Sequence, residues 1–302
     1  MPESVFFKSA GVQCAAELYR PSGMKRGKPR PGLVLGHGFS LVKGCLAEQA
    51  KALCAAGFVV LAIDYRSFGE SGGSVRGQLF PLNEAEDFRN AISYLQLRPD
   101  VDAQRIGLWG ASFAGALVSY VGALDRRVKA TCAVVPVTDG YLWMKLLRSE
   151  NDFDRLLAAV EEDRRGRFAG NKGARIPVAG PPGTLCALPA DEDVLTFFGQ
   201  LRANFPSWRD TLTLESIEKI LEFSPLSFVH RMTPRPYLII STAGHDIVHP
   251  AASVAELHER ARQPKRLEFL PFPQVGLYSD PGLTRSNNVA IDFFVEYLGP
   301  IN

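Results

Sequence analysis

The segment GASFAG (110–115) sets Ser112 among small residues, directly after an apolar run, RIGLWGAS (105–112), and before a helical pattern, ASFAGALVSYVGALD (111–125). A serine hydroxyl is presented for nucleophilic attack when it sits on a tight, strained strand-to-helix turn. Small neighbours such as Gly110, Ala114 and Gly115 let strand and helix approach closely enough for that turn. The last position of the G-x-S-x-G pattern is Ala114 here. In this setting the Phe113 backbone N–H points toward the space of the Ser112 hydroxyl, and the helix N-terminus favours a developing oxyanion. A second donor is expected from GHGFS (36–40), whose glycines let a loop bend so that the Phe39 N–H reaches the same oxyanion. The chemistry implied is acyl transfer through serine. His37, in the same motif, reads as a structural residue tying loops together.

Such a site needs a rigid frame, and the rest of the chain supplies one. Short runs rich in Val, Ile and Leu at 31–38, 58–65, 105–112, 129–137 and 235–244 read as strands. Their hydrophobicity is continuous rather than alternating, which predicts strands covered on both faces and so a mainly parallel sheet. Helical patterns lie between them, at 45–57, 81–99, 111–125 and 251–262. The expected fold class is therefore α/β, a doubly wound, mainly parallel sheet. An antiparallel hairpin turning at Gly11 is expected at the sheet edge. Residues 138–232 break the alternation and read as a helical cap inserted into a core made of 1–137 and 233–302. Of the cap aromatics, Trp143, Phe198 and Trp208 are the candidates for lining an apolar acyl site. Tyr141, Phe197 and Phe205 are available too, and at least half of the six are expected to be cap core.

Composition narrows the function classes. A net charge of +2 over 302 residues gives no case for a nucleic-acid partner, and basic runs such as that at 23–32 read as solvated loops. There is no run of about 20 apolar residues and no leader pattern at the N-terminus, so no membrane partner is expected and a cytoplasmic location is the default. Five scattered cysteines contain no CxxC pair; no disulfide, metal site or cofactor is expected. A homodimer stays open.

LVLGHGF, GFVVLAIDYRSFGESGG, DVDAQRIGLWGASFAG and IISTAGHDIVHP together resemble the α/β-hydrolase superfamily. They resemble most its dienelactone-hydrolase-like and X-Pro-peptidase-like branch, which includes bacterial esterases and fungal polyketide transferases and thiohydrolases. The resemblance covers about 30–137 and 233–300. It implies an α/β-hydrolase fold, a structural role for Asp64 and Glu70, and an acid at Asp246, with Asp139 the alternative. It also implies a histidine in a loop after the last strand. Counting back from Tyr278, that place holds Gln274, beside Pro273. None of His37, His230, His245, His249 and His258 lies in that loop, and His245 and His249 flank Asp246 too closely to serve as its expected partner. Glutamine cannot take the serine's proton. The expectation is thus a serine hydrolase-type enzyme for an ester or thioester, with Ser112, Asp246 and Gln274 as its catalytic set. The alternatives are a divergent acyltransferase, lyase or isomerase using the oxyanion pocket without a base, and a non-catalytic ligand-binding protein.

Overall fold

The structure, a computed structural model, describes residues 2–24 and 27–299; Lys25 and Arg26 of the basic run at 23–32 lie outside the described residues. The chain opens with β1 (Glu3–Ser9) and β2 (Val12–Tyr19), then β3 (Arg30–Gly36), α1 (Ala47–Ala55), β4 (Val59–Ile63), α2 (Pro81–Gln96), β5 (Val101–Ala111), α3 (Phe113–Leu124) and β6 (Val128–Val134). An inserted stretch follows, with α4 (Gly140–Leu146), α5 (Glu150–Phe168), β7 (Arg175–Pro177), β8 (Ala179–Gly180), β9 (Leu188–Pro189), α6 (Glu192–Asn204), β10 (Thr211–Thr213) and α7 (Leu214–Leu221). The chain then returns through β11 (Tyr237–Thr242), α8 (Ala251–Arg260), β12 (Lys265–Leu270) and α9 (Gly282–Leu298).

The main sheet has eight strands in the order β1-β2-β4-β3-β5-β6-β11-β12. β1 and β2 form the antiparallel edge hairpin, β2 meets β4 antiparallel, and the remaining pairs are parallel. Every residue of β4 and β11 is buried, as continuous apolar runs require. Successive side chains point to opposite faces. Val34, Val59, Leu61 and Leu108 pack under α2, α3 and α8, with Phe88, Leu117 and Val254. Leu33, Leu35, Val60 and Trp109 pack under α1 and α9, with Leu53, Phe293 and Phe294. Because β3, β5, β6 and β11 run parallel, the C-terminal ends of β3, β5 and β11 share one edge of the sheet.

The insertion packs into the first of these clusters. Met144, Leu156, Leu212 and Ile217 belong to the same buried group as Val34 and Phe88. Backbone and side-chain bonds add to this: Leu79 N–H donates to Ser216 Oγ at 2.9 Å, and Thr213 N–H to the Gly77 carbonyl at 2.9 Å.

Candidate active site

Ser112 follows β5 directly and precedes α3, with φ 57° and ψ −119°. A non-glycine residue at positive φ costs roughly 1–3 kcal/mol and persists only where its surroundings over-determine it. Here they do. Ser112 N–H donates to the Val134 carbonyl at 2.8 Å, and the Ser112 carbonyl accepts from Val137 N–H at 3.2 Å. The turn after β6 is itself strained at Val135, φ 40°, and Val135 N–H donates to the Ile240 carbonyl at 2.7 Å. A Cβ on Gly115 would meet Pro136 Cα at 2.9 Å, so a small residue there is what lets α3 sit against this turn.

The loop after β11 supplies the partner. Asp246 Oδ1 accepts the N–H groups of Val248 at 2.9 Å and His249 at 2.8 Å. This tight carboxylate-centred turn folds the fourth residue back over the first, so that His249 Nδ1 lies 3.1 Å from Asp246 Oδ2. The other ring nitrogen, Nε2, lies 2.8 Å from Ser112 Oγ. The imidazole is fully buried and the Asp246 side chain nearly so. A carboxylate at Nδ1 fixes the proton on that nitrogen and leaves Nε2 free to accept from the serine.

Gln274 was expected in the place beside Ser112, and His249 holds that place instead. Gln274 begins a single 3₁₀ turn, Gln274–Tyr278, and its N–H donates to the His245 carbonyl at 3.1 Å. It lines the same cavity as Ser112 but, among the described residues, its side chain bonds to neither Ser112 nor Asp246. Closeness in the chain does not keep the Asp246 and His249 side chains apart. Adjacency on an extended strand would do so, but a turn closed by the Asp246 carboxylate reverses it. The legible signal was an Asp followed three residues later by His in a loop ahead of a helix.

Asp139, the alternative acid, is the N-cap of α4, where its carboxylate accepts from Leu142 N–H at 2.9 Å. His245 is exposed and reaches Asp191 Oδ2 at 3.3 Å. His37 is buried under Tyr65, ring centroids 4.3 Å apart; its Nδ1 lies 3.1 Å from the Gly38 carbonyl, and burial lowers its pKa. Asp64 gathers Lys43 N–H at 2.6 Å, Lys43 Nζ at 3.2 Å and Glu70 N–H at 2.9 Å, and Lys43 also pairs with Glu70. These bonds brace the 37–46 loop behind Phe39.

Phe39 and Phe113 sit together, rings 6.0 Å apart and edge-on, and a Cβ on Gly38 would fall 3.4 Å from Ser112 Cβ. That close passage brings the Phe39 backbone beside the serine. Trp143 of α4 packs on both rings, at 5.4 and 5.9 Å, and its Nε1–H donates to the Val248 carbonyl at 2.9 Å. One indole thus touches all three loops of the site. The cavity over Ser112 is narrow, about 30 Å³, and its walls include Trp143, Val194, Phe197, Phe198, Gln274 and Tyr278. Trp208, expected as a wall, is one layer back. It packs behind Phe198, centroids 6.3 Å apart, and its Nε1–H donates to the Ser40 carbonyl at 2.8 Å.

Among the described residues no group of three or more His, Cys, Asp or Glu side chains is placed to hold a metal ion, and no helix is long and apolar enough to cross a membrane.

A family model described as X-Pro dipeptidyl-peptidase (S15 family) matches residues 10–167, just over half of the chain and including Ser112. A quorum-quenching protein, AidA, of Acinetobacter baumannii is 32% identical over 183 residues, 60% of this chain and 59% of that protein; the match thus spans less than two thirds of that relative's length. A thiohydrolase, aneE, of Aspergillus aculeatus is 27% identical over 249 residues, 79% of this chain and 76% of that one. The crystal structure of the alpha/beta hydrolase GrgF from Penicillium sp. sh18 superposes with a TM-score of 0.84 at 22% identity, covering 99% of each chain.

Proposed function

Because this chain belongs to the X-Pro dipeptidyl-peptidase (S15) family of α/β-hydrolases, we propose that it cleaves an ester or thioester by a serine mechanism built on Ser112, His249 and Asp246. The observation that carries this reading is His249, with one ring nitrogen 2.8 Å from Ser112 Oγ and the other 3.1 Å from Asp246 Oδ2. As Ser112 Oγ attacks the carbonyl carbon, His249 Nε2 takes the hydroxyl proton. The resulting imidazolium is stabilised by Asp246. The oxyanion that forms takes hydrogen bonds from Phe39 and Phe113 N–H. The C–O or C–S bond then breaks, and the proton passes from His249 to the leaving alcohol or thiol. Water, deprotonated by the same nitrogen, releases the acid.

The cavity walls favour an uncharged acyl substrate. A peptide with a free N-terminus would bring its ammonium into a space whose lining residues carry no carboxylate, and an unpaired buried charge is costly. The thiohydrolase relative is consistent with an activated acyl carbonyl. Residues 138–232 act as the cap that chooses the acyl part. His249 within 2.8 Å of Ser112 Oγ favours this reading over those without a base, a lyase, an isomerase or a binder. Transfer to an acceptor other than water uses the same acyl-enzyme and is distinguished by product analysis.

The test is a set of three variants assayed on p-nitrophenyl acetate and a small acyl thioester. H249Q lowers kcat by about 10⁴–10⁶, as S112A does, whereas Q274H raises it by no more than a few fold. A fluorophosphonate labels wild-type Ser112 rapidly and labels H249Q slowly. Full activity in H249Q, or a gain of about 100-fold in Q274H, would return the base to the loop after β12.

A further inference from the structure

The cavity over Ser112 stops at two aromatic rings. Phe197 on α6 and Tyr278 at the end of the 274–278 turn lie 5.5 Å apart with planes at 36°. Both also line a second cavity, of about 300 Å³, between α6 and the start of α1. The two cavities are therefore separated by one layer of side chains. Beyond that layer Ala47, Leu201, Phe205 and Leu283 offer apolar contact for a hydrocarbon chain, among the polar Glu48, Gln49, Gln200 and Asn204.

The two neighbouring rings on α6 are held differently. Phe198 is 8% exposed and is backed by Trp208, which is bonded to the Ser40 carbonyl. Phe197 is only half-buried, and its ring meets the edge of Phe198 and the face of Tyr278. Its other side is the open second cavity, so a rotamer change has somewhere to go. Tyr278 has less of that freedom, since its own side chain packs against the cluster on the α1 and α9 side of the sheet.

We infer that Phe197 sets the length of acyl chain the enzyme accepts: short chains end against its ring, and longer ones must displace it to enter the second cavity. This rests on Ser112 being an acyl-transfer nucleophile. In wild type the second cavity contributes little, because displacing the ring offsets what the chain gains. Without the ring the two spaces are continuous, and each further methylene removed from water adds about fourfold to kcat/KM.

The experiment compares wild type, F197A and F197W on p-nitrophenyl esters from acetate to decanoate. The decanoate-to-acetate ratio of kcat/KM rises at least about tenfold in F197A and falls in F197W, whose larger ring keeps α6 apolar. Binding of decanoic and hexanoic acid is measured in parallel by calorimetry on S112A and on S112A with F197A. There the second substitution tightens decanoate selectively. Superimposable chain-length profiles in active wild type and variants would overturn the role of Phe197. If no ester is hydrolysed by any chain, the acyl-transfer reading fails, and the calorimetry alone decides on Phe197: a selective gain for decanoate supports it and equal affinities overturn it.

Discussion

Asp246 uses its two oxygens for different work. Oδ1 closes the turn by accepting Val248 and His249 N–H, and Oδ2 faces His249 Nδ1. Asparagine and alanine at this position separate the two. D246N keeps an oxygen for the turn but offers N–H to Nδ1, which forces the wrong tautomer on His249. The expected result is a drop in kcat of about 10⁴ with a melting temperature close to wild type. D246A loses the turn as well, and both activity and melting temperature fall. Equal melting losses in both variants, by thermal denaturation, would mean that the turn does not depend on that oxygen. The same double use explains what could be read in advance. Ser112 was legible because strand, small residues and helix are contiguous in sequence, and Asp246, four residues past the end of β11, through the resemblance to the α/β-hydrolases. His249 was legible only as the Asp-x-x-His spacing, because its approach to Ser112 is made by a loop closed through a side-chain oxygen, which leaves no periodic trace. Trp208 was assigned to the wall on type alone; sequence does not say that Phe198 stands in front of it.

At the scale of elements, the strands β3 to β6 and β11 were readable from their unbroken Val, Ile and Leu runs, and β1–β2 from the turn at Gly11. The insertion was visible as a break in rhythm, but its relation to the core was not. Short strands such as β7 and β10, three residues each and paired with one another, fall below any pattern a sequence can show. Nor does sequence reveal that Leu212 and Ile217 join the group packed beneath the sheet, or that Arg175 Nη1 donates to the Arg76 carbonyl at 3.0 Å. These contacts decide what deletion does. Removing 138–232 exposes the side of Phe113, Leu117 and Val121 on which Trp143, Phe223 and Val229 now rest. It also frees the backbone of the 76–79 loop. At about 25 cal/mol for each Å² of apolar surface left in water, roughly 200–600 Å² of newly exposed core would offset the about 5–15 kcal/mol by which a domain is stable. The shortened chain is expected to lack a cooperative thermal transition and native near-UV dichroism. A sharp transition in that chain would mean that the core folds without the insertion.

At the scale of the whole molecule, several charges lie under the sheet, and they differ in how they are paired. Asp87 is fully buried but accepts from Arg66 at N, Nε and Nη2, at 2.9, 2.9 and 2.6 Å. Glu84, one turn earlier on α2, is 2% exposed, and its Oε2 has no hydrogen-bond partner among the described residues. Burial, and then the charge of Asp87, push the Glu84 carboxyl well above its ordinary value of 4.5, with Arg66 opposing. Folding therefore favours the protonated form. A carboxyl raised in this way contributes stability that is fully present below its unfolded pKa and is lost as pH rises through its folded pKa. Stability of the wild-type protein should then decline from about pH 5 upward by the amount Glu84 supplies. Glutamine has the same shape and no proton to lose, so E84Q should follow wild type near pH 4.5 and exceed it at pH 8. A difference of one kcal/mol would appear as about 2–4 °C in melting temperature. The measurement is a pair of thermal unfolding series from pH 4.5 to 8.5, read as the difference between the two proteins so that every other titrating group cancels. Parallel curves, or an E84Q protein less stable at pH 8, would show that Glu84 is ionised and paired in the folded state.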